Sequence, residues 1–216
     1  HISMGLFVPS DIAIQNLRKE GIVNGVYNVG DIMKDLVGYV INNNLIKEIE
    51  EEDYYYVTIH RPYNTDSMER LSYILNSLNK LKLKVVMAIH PRTASLMKTF
   101  RLEKDNYENI NFIEPQSYFD NLSYLNHSKG LITDSGGMQK EAYWLEKKCV
   151  TIRKETEWTE TLINECNTLL FENLSELENI LNKMFASWDS SLYGDGHSSE
   201  KIINQILIDL EKNNLN

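Results

Sequence analysis

The sequence predicts an α/β fold in which a doubly wound, mainly parallel sheet carries helices on both faces. Two observations predict it. Strand-length runs of apolar, β-branched and aromatic residues alternate with stretches of helical periodicity along most of the chain, the pattern of successive βαβ units. The strands are also apolar almost without interruption, as expected for a sheet covered on both sides.

Each element has its own signal. Asp11 to Lys19 reads as a short helix, with Ser10 or Asp11 as its N-cap and Gly21 beyond its end. Val26 to Val29 reads as a strand, and Asp31 to Glu48 has helical spacing that runs into the acidic stretch Glu48 to Asp53, a solvated connection. A regular alternation follows. Strands are predicted at Tyr54–Ile59, Lys84–Ile89, Ile110–Ile113, Gly130–Thr133, Cys149–Ile152 and Thr168–Phe171. Helices are predicted at Ser67–Leu81, Thr93–Leu102, Tyr118–His127, Gly137–Leu145, Leu174–Phe185 and Ser198–Leu210. The sheet should therefore hold about six strands. No internal repeat or low-complexity stretch interrupts the series.

Composition narrows the function. With 216 residues, 42% of them hydrophobic and 25% charged, the chain is that of an ordinary soluble globular protein. A formal net charge of −9 at pH 7 argues against nucleic acid or an anionic membrane surface as partner, although it leaves room for a local positive pocket. No apolar run has the length of a membrane span and no signal peptide is visible. Cys149 and Cys166 lack zinc-type spacing and read as free thiols in a reducing cytoplasm. Residues 1–4 read as the remnant of a tag, residues 5–48 as an interdomain helix and linker with the start of a domain, and residues 49–216 as the main domain.

In an open parallel sheet, ligands bind outside the carboxyl ends of the strands. The residues that follow successive strands are His60-Arg61-Pro62, His90-Pro91-Arg92, Asp134-Ser135-Gly136-Gly137 and Arg153, so an acidic chain gathers histidines, cations and a glycine loop at one edge. Asp134 to Gly137 lies between a strand and a helix. Its two glycines allow close approach of the backbone, Ser135 adds a hydroxyl, and the helix N-terminus suits a phosphate. Glu141, one turn further on, suits ribose hydroxyls rather than phosphate. Taken alone, the loop reads better as a plain Asp/Ser cap with a glycine turn; the convergence of His60, His90 and Arg153 on the same edge shifts the reading toward a ligand. His60 reads as functional. His90, before Pro91, reads as either loop-shaping or ligand-contacting. His127 and His197 read as structural, and Trp144 and Leu145 as core.

Together these segments resemble the non-hydrolysing UDP-N-acetylglucosamine 2-epimerase family. The match is carried by Val57-Thr-Ile-His-Arg61 with Asn64, His90-Pro-Arg-Thr93, Ile113-Glu-Pro115, Thr133-Asp-Ser-Gly-Gly-Met-Gln-Lys-Glu141, Thr151-Ile-Arg153 with Thr156-Glu-Trp-Thr-Glu160, and Tyr193-Gly-Asp-Gly196. Phe7-Val-Pro9, Asn16-Leu17 and Glu20-Gly21 look like the family's passage out of its first domain. The His-Pro-Arg-Thr variant looks more like archaeal members and relatives acting on modified UDP-sugars.

The resemblance implies the Rossmann-like C-terminal domain of a GT-B-like two-domain enzyme, with the last helix reaching toward the first domain. It implies a cytoplasmic isomerase of nucleotide-sugars, of the kind that feeds cell-surface polysaccharide synthesis, needing neither metal nor cofactor and forming a homodimer at full length. Carried over by motif position, Ser135, Gly136, Gly137 and Arg153 bind the UDP moiety, Glu141 the ribose, and His60 stands beside the reacting sugar or leaving phosphate. Arg61 and His90 match positions that face a second, regulatory UDP-sugar in bacterial members. The principal catalytic carboxylates belong to the family's first domain, so this chain alone is expected to be inactive. Tyr63 stands where many members have Glu, Asn121 where some have an aromatic near the uracil with Tyr118 or Phe119 nearby, Ile163 and Glu165 replace a Glu and a Gly, and Asp31 replaces an Asn. Two other readings share the fold logic: a GT-B glycosyltransferase domain and a non-catalytic nucleotide-sugar-binding module.

Overall fold

A computed structural model describes residues 3–51, 53–183 and 187–214. Contacts divide them into two compact units, one made of the residues up to Asn44 with those from Asp189 onward, the other of Leu45–Trp188.

The first unit opens with β1 (Leu6–Val8), a strand the sequence reading leaves out, followed by α1 (Asp11–Lys19), β2 (Val26–Asn28) and α2 (Ile32–Asn42). β1 and β2 pair in parallel, Leu6 opposite Val26 and Val8 opposite Asn28. Ser10 caps α1 through the Ala13 N–H, and Asp31 caps α2 through the Met33 N–H at 2.9 Å, the work an Asx residue does at this position. Helix α2 stops at Asn42, short of the predicted Glu48, because Asn44 turns into the left-handed region at φ 54°, which Asn tolerates better than most residues.

The second unit holds β3 (Tyr54–Thr58), the short α3 (Pro62–Thr65), α4 (Met68–Asn79), β4 (Lys84–Ala88), α5 (Pro91–Thr99), β5 (Ile110–Ile113), α6 (Tyr118–His127), β6 (Gly130–Thr133), α7 (Gly136–Trp144), β7 (Cys149–Thr151), β8 (Asn167–Leu169) and α8 (Leu177–Leu181). Six of these elements form one sheet in the order β5-β4-β3-β6-β7-β8, every neighbouring pair parallel. The chain builds outward from β3 on one side, returns to its other flank at β6, and builds outward again. That reversal places a switch point between β3 and β6.

The sheet is buried on both faces, as its unbroken apolar strands require. Tyr54, Tyr55 and Tyr56 are all almost fully buried. The Tyr54 hydroxyl donates to the Tyr124 carbonyl at 2.6 Å, the Tyr56 hydroxyl donates to Asn121 Oδ1 at 2.6 Å, and the Tyr56 and Tyr124 rings stack at 5.5 Å. These bonds, with the Tyr55 hydroxyl donating to Asn182 Oδ1 at 3.5 Å, let three consecutive tyrosines lie in a core without stranding their hydroxyls. Leu71, Ile74, Leu75 and Leu78 from α4 close one face at helical spacing.

Two predicted helices change shape. The one expected from Thr93 begins at Pro91, because His90 caps it and proline suits its first position. The one expected over Leu174–Phe185 is a 3₁₀ turn at Leu174–Glu176 followed by α8; residues 184–186 lie outside those described. The last described element is α9 (Ser198–Asn214), which belongs to the first unit. Asp35 of α2 accepts the Ser198 and Ser199 N–H groups at 2.9 and 2.7 Å, and Lys34 Nζ donates to the carbonyls of Ser190, Leu192 and Gly194. Gly30 and Gly194 lie so close that a Cβ on either would strike the other's Cα within 3.0 Å, which accounts for the first glycine of Tyr193-Gly-Asp-Gly196. Among the described residues no helix is long and apolar enough to cross a membrane.

Candidate functional site

The loops leaving β3 and β6 meet at the switch point. Asp134, directly after β6, is fully buried. Its carboxylate accepts the main-chain N–H of His60 at 3.1 Å, that of Arg61 at 2.9 Å and the Asn64 amide at 3.1 Å, while His60 Nδ1 lies 3.2 Å from Oδ1. Asn64, also fully buried, donates to the Ile152 carbonyl at 2.9 Å and accepts from the Arg70 guanidinium at 3.1 and 3.2 Å. One carboxylate and one amide thus tie the loops after β3, β6 and β7 to α4.

Ser135 rather than Asp134 is the N-cap of α7: its Oγ accepts the Met138 N–H, and its own N–H donates to Thr133 Oγ1 at 2.9 Å. Ser135 is half-buried, Gly136 buried and Gly137 exposed, so the start of the helix stays accessible. A cavity of about 200 Å³ opens beside it, lined by His60, His90, Gln116, Asn121, Ser135 and Met138 among others. It collects residues from the carboxyl ends of β3, β4, β5 and β6.

The two histidines face each other with ring centroids 5.4 Å apart. Burial pulls the His60 pKa below its ordinary value, His90 and Arg61 add to the pull, and Asp134 opposes it without reversing it. His90 is exposed, and its Nδ1 accepts the Arg92 N–H at 3.2 Å. It therefore shapes the loop and lines the cavity at once. Asn121 contributes its edge to the cavity while its amide is spent on Tyr56 and on the Gln116 and Ser117 carbonyls.

Other predicted residues stand elsewhere. Glu141 lies on α7, only 8% exposed and outside the lining of this cavity. Arg153 lines a different cavity, about 350 Å³, with Tyr63, Lys154, Glu155 and Phe171. Its Nη2 pairs with Glu157 at 2.8 Å. Among the described residues, Arg61 Nε and Arg153 Nη1 are buried without a hydrogen-bond partner. Burial opposes ionisation of Glu157, but hydrogen bonds from its own N–H and from Arg153 outweigh it and hold the carboxyl below its ordinary pKa. The Thr156-Glu-Trp segment is fastened to α7 by Gln139, whose Oε1 accepts from Thr156 Oγ1 at 2.7 Å and Asn167 Nδ2 at 3.0 Å. Lys140 Nζ lies 3.7 Å from the Trp158 ring centroid, which gives that tryptophan its place.

Sequence reasoning missed the roles of Asp134 and Gln139. The available signal for Asp134 was its position directly after the fully buried strand-length run Gly130-Leu-Ile-Thr133, where a side chain is still inside the sheet's rim. Gln139 carried none, since the groups that donate to its Oε1 come from 17 and 28 residues away.

Comparison with known proteins follows the same lines. A family model described as UDP-N-acetylglucosamine 2-epimerase matches residues 1–207. The chain is 38% identical over 215 residues to a UDP-N-acetylglucosamine 2-epimerase homolog of Methanococcus maripaludis, covering 94% of this chain and 60% of that protein. It is 32% identical over 209 residues to a UDP-2,3-diacetamido-2,3-dideoxy-D-glucuronate 2-epimerase of Pseudomonas aeruginosa, covering 91% of this chain and 58% of that one. The crystal structure of Methanocaldococcus jannaschii UDP-GlcNAc 2-epimerase in complex with UDP-GlcNAc and UDP superposes with a TM-score of 0.86 at 32% identity, over 96% of this chain and 62% of that one. The chain thus spans about 60% of the length of the curated relatives it matches. Its parallel sheet, the order of its motifs and the family model over residues 1–207 agree, and the chain belongs to the UDP-N-acetylglucosamine 2-epimerase family.

Proposed function

We propose that this chain is the UDP-binding part of an enzyme interconverting UDP-GlcNAc and UDP-ManNAc, or a modified derivative of UDP-GlcNAc. The observation that carries the reading is the convergence of His60, His90 and Ser135 on one cavity at the strand-order reversal, beside the N-terminus of α7. In this reading the diphosphate lies over Ser135, Gly136 and Gly137. There, unpaired helix N–H groups and roughly half a positive charge favour an anion. Arg153, with Nη1 unspent, supplies a cation from the neighbouring loop. Glu141 serves the ribose, and Arg61 and His90 contact substrate or a second UDP-sugar.

The reaction breaks the C2–H bond and the bond from C1 to UDP, leaving a 2-acetamidoglucal; UDP then adds back at C1 as a proton returns to C2 from the other face. His60 stands beside the reacting sugar or the leaving phosphate. Asp134, the carboxylate buried against it, is spent on three N–H groups. The remaining acid–base groups are expected outside the residues named here, so these 216 residues alone should not turn the substrate over. A further domain would cover Ile203, Ile206, Leu207 and Leu210, which form an exposed apolar stripe along α9, and the whole enzyme would pair as a homodimer.

Calorimetry with UDP, UMP and uridine tests the site. UDP should bind best, and Ser135→Ala should weaken UDP roughly tenfold, the worth of one hydrogen bond to a charged group, while leaving uridine unchanged. Equal affinity for all three ligands, indifferent to Ser135→Ala, would refute the assignment.

A further inference from the structure

The buried carboxylate at the switch point is placed to do more than brace a loop. Asp134 is fully buried and accepts three N–H groups, from His60, Arg61 and Asn64. Donors of that number suit an ionised carboxylate, which accepts hydrogen bonds and donates none. The fourth group against it is the His60 ring, with Nδ1 3.2 Å from Oδ1. A neutral imidazole has one N–H and one bare nitrogen, and the partner of one nitrogen decides which is which. His90 is held the opposite way: its Nδ1 accepts the Arg92 N–H and must be bare.

We infer that Asp134 is a positioning residue that fixes His60 as the Nδ1–H tautomer, so that the cavity is offered a bare Nε2 from His60 beside an Nε2–H from His90. The two rings, 5.4 Å apart and tilted by 31°, then form an acceptor–donor pair. His60 can take a proton at Nε2 and share the resulting charge with Asp134; His90 can donate to a ligand oxygen. A merely structural Asp134 would satisfy the backbone of the β3 loop and leave the His60 tautomer to its own preference. The groups facing His60 are Asp134, His90 and Arg61. The inference deepens the proposed function, since it gives a chemical purpose to the pair lining that cavity.

The test is a long-range ¹H–¹⁵N correlation spectrum of the imidazoles in the ¹⁵N-labelled chain above pH 7.5. His60→Gln and His90→Gln identify the two spin systems. His60 is expected as Nδ1–H by roughly ten to one or more, because a carboxylate 3.2 Å from that nitrogen attracts an N–H there and repels a lone pair. His90 is expected as Nε2–H in the same spectrum, an internal control of opposite sign. Asp134→Asn should reduce the His60 ratio about tenfold and leave His90 alone. A His60 that is mainly Nε2–H in the unmodified chain overturns the inference, with no dependence on whether the variant folds. A His60 ratio unchanged in folded Asp134→Asn also overturns it. Titrating UDP into the same sample reads the other claim separately: a response at His60 Nε2 bears on where the ligand binds, whatever the tautomer.

Discussion

The carboxylate of Glu157 lies against Gly136, close enough that a Cβ built on Gly136 would come within 2.6 Å of Glu157 Oε1. Its other oxygen is held by Arg153 at 2.8 Å. A negative charge of the protein's own thus sits at the start of α7, where the diphosphate is proposed to bind, and occupies the guanidinium that would greet it. Glu157→Gln should therefore tighten UDP about fivefold, corresponding to roughly 1 kcal/mol for a like charge removed at about 4 Å in a solvated site. Uridine should not respond. Calorimetry on the two ligands checks this, and a UDP affinity that falls or stays level would remove Glu157 from the site.

Gly30 and Gly38 should answer the same substitution with opposite signs. Gly30 sits at φ 85°, and a Cβ there would meet the Tyr193 carbonyl oxygen and Ser198 Oγ at 2.8 Å. Gly30→Ala should cost about 3 kcal/mol or more, combining left-handed strain with a backbone clash. Gly38 lies inside α2 with nothing within 4 Å of its missing Cβ. Gly38→Ala should stabilise by about 0.5–1 kcal/mol. Thermal melts of the two variants decide it, and a destabilised Gly38→Ala would contradict the packing described.

His60 should make the fold lose stability on mild acidification. Burial, aided by His90 and Arg61, holds its folded pKa below the ordinary value, which is about 6.5 in an unfolded chain. Below about pH 7 the unfolded chain takes up a proton that the folded chain refuses. Stability therefore falls as pH drops through about 6.5 toward the folded value, then levels. Urea midpoints at pH 7.5 and 5.5 should differ less for His60→Gln than for the unmodified chain. A larger difference in the variant would reverse the sign argued here.

Both thiols should be inert in the native state. Cys149 and Cys166 are buried, and burial pushes the Cys149 thiol up to about 12 and raises that of Cys166 as well. Thiolate is the reactive form, so a disulfide reagent should label neither at pH 8 until urea unfolds the protein. Fast labelling of Cys149 under native conditions would show that β7 opens.

The sequence by itself determined that the sheet is parallel, because apolar strand-length runs separated by amphipathic helices leave no other economical arrangement. It also determined which residues stand at the strands' carboxyl ends, since position along a strand is local information. His60, His90 and Ser135 were legible for that reason. The three-residue β1 was not, because Leu6–Val8 is too short to show a period. Strand order was decided only by the tertiary structure. The reversal between β3 and β6 sets Asp134 against His60 across 74 residues. It leaves Arg153, after the next strand outward, lining another cavity. A carboxylate after an apolar strand reads locally as a helix cap; only folding shows that burial against three N–H groups and an imidazole gives it a different task, because the cost of burying a charge is met by partners the local sequence does not contain.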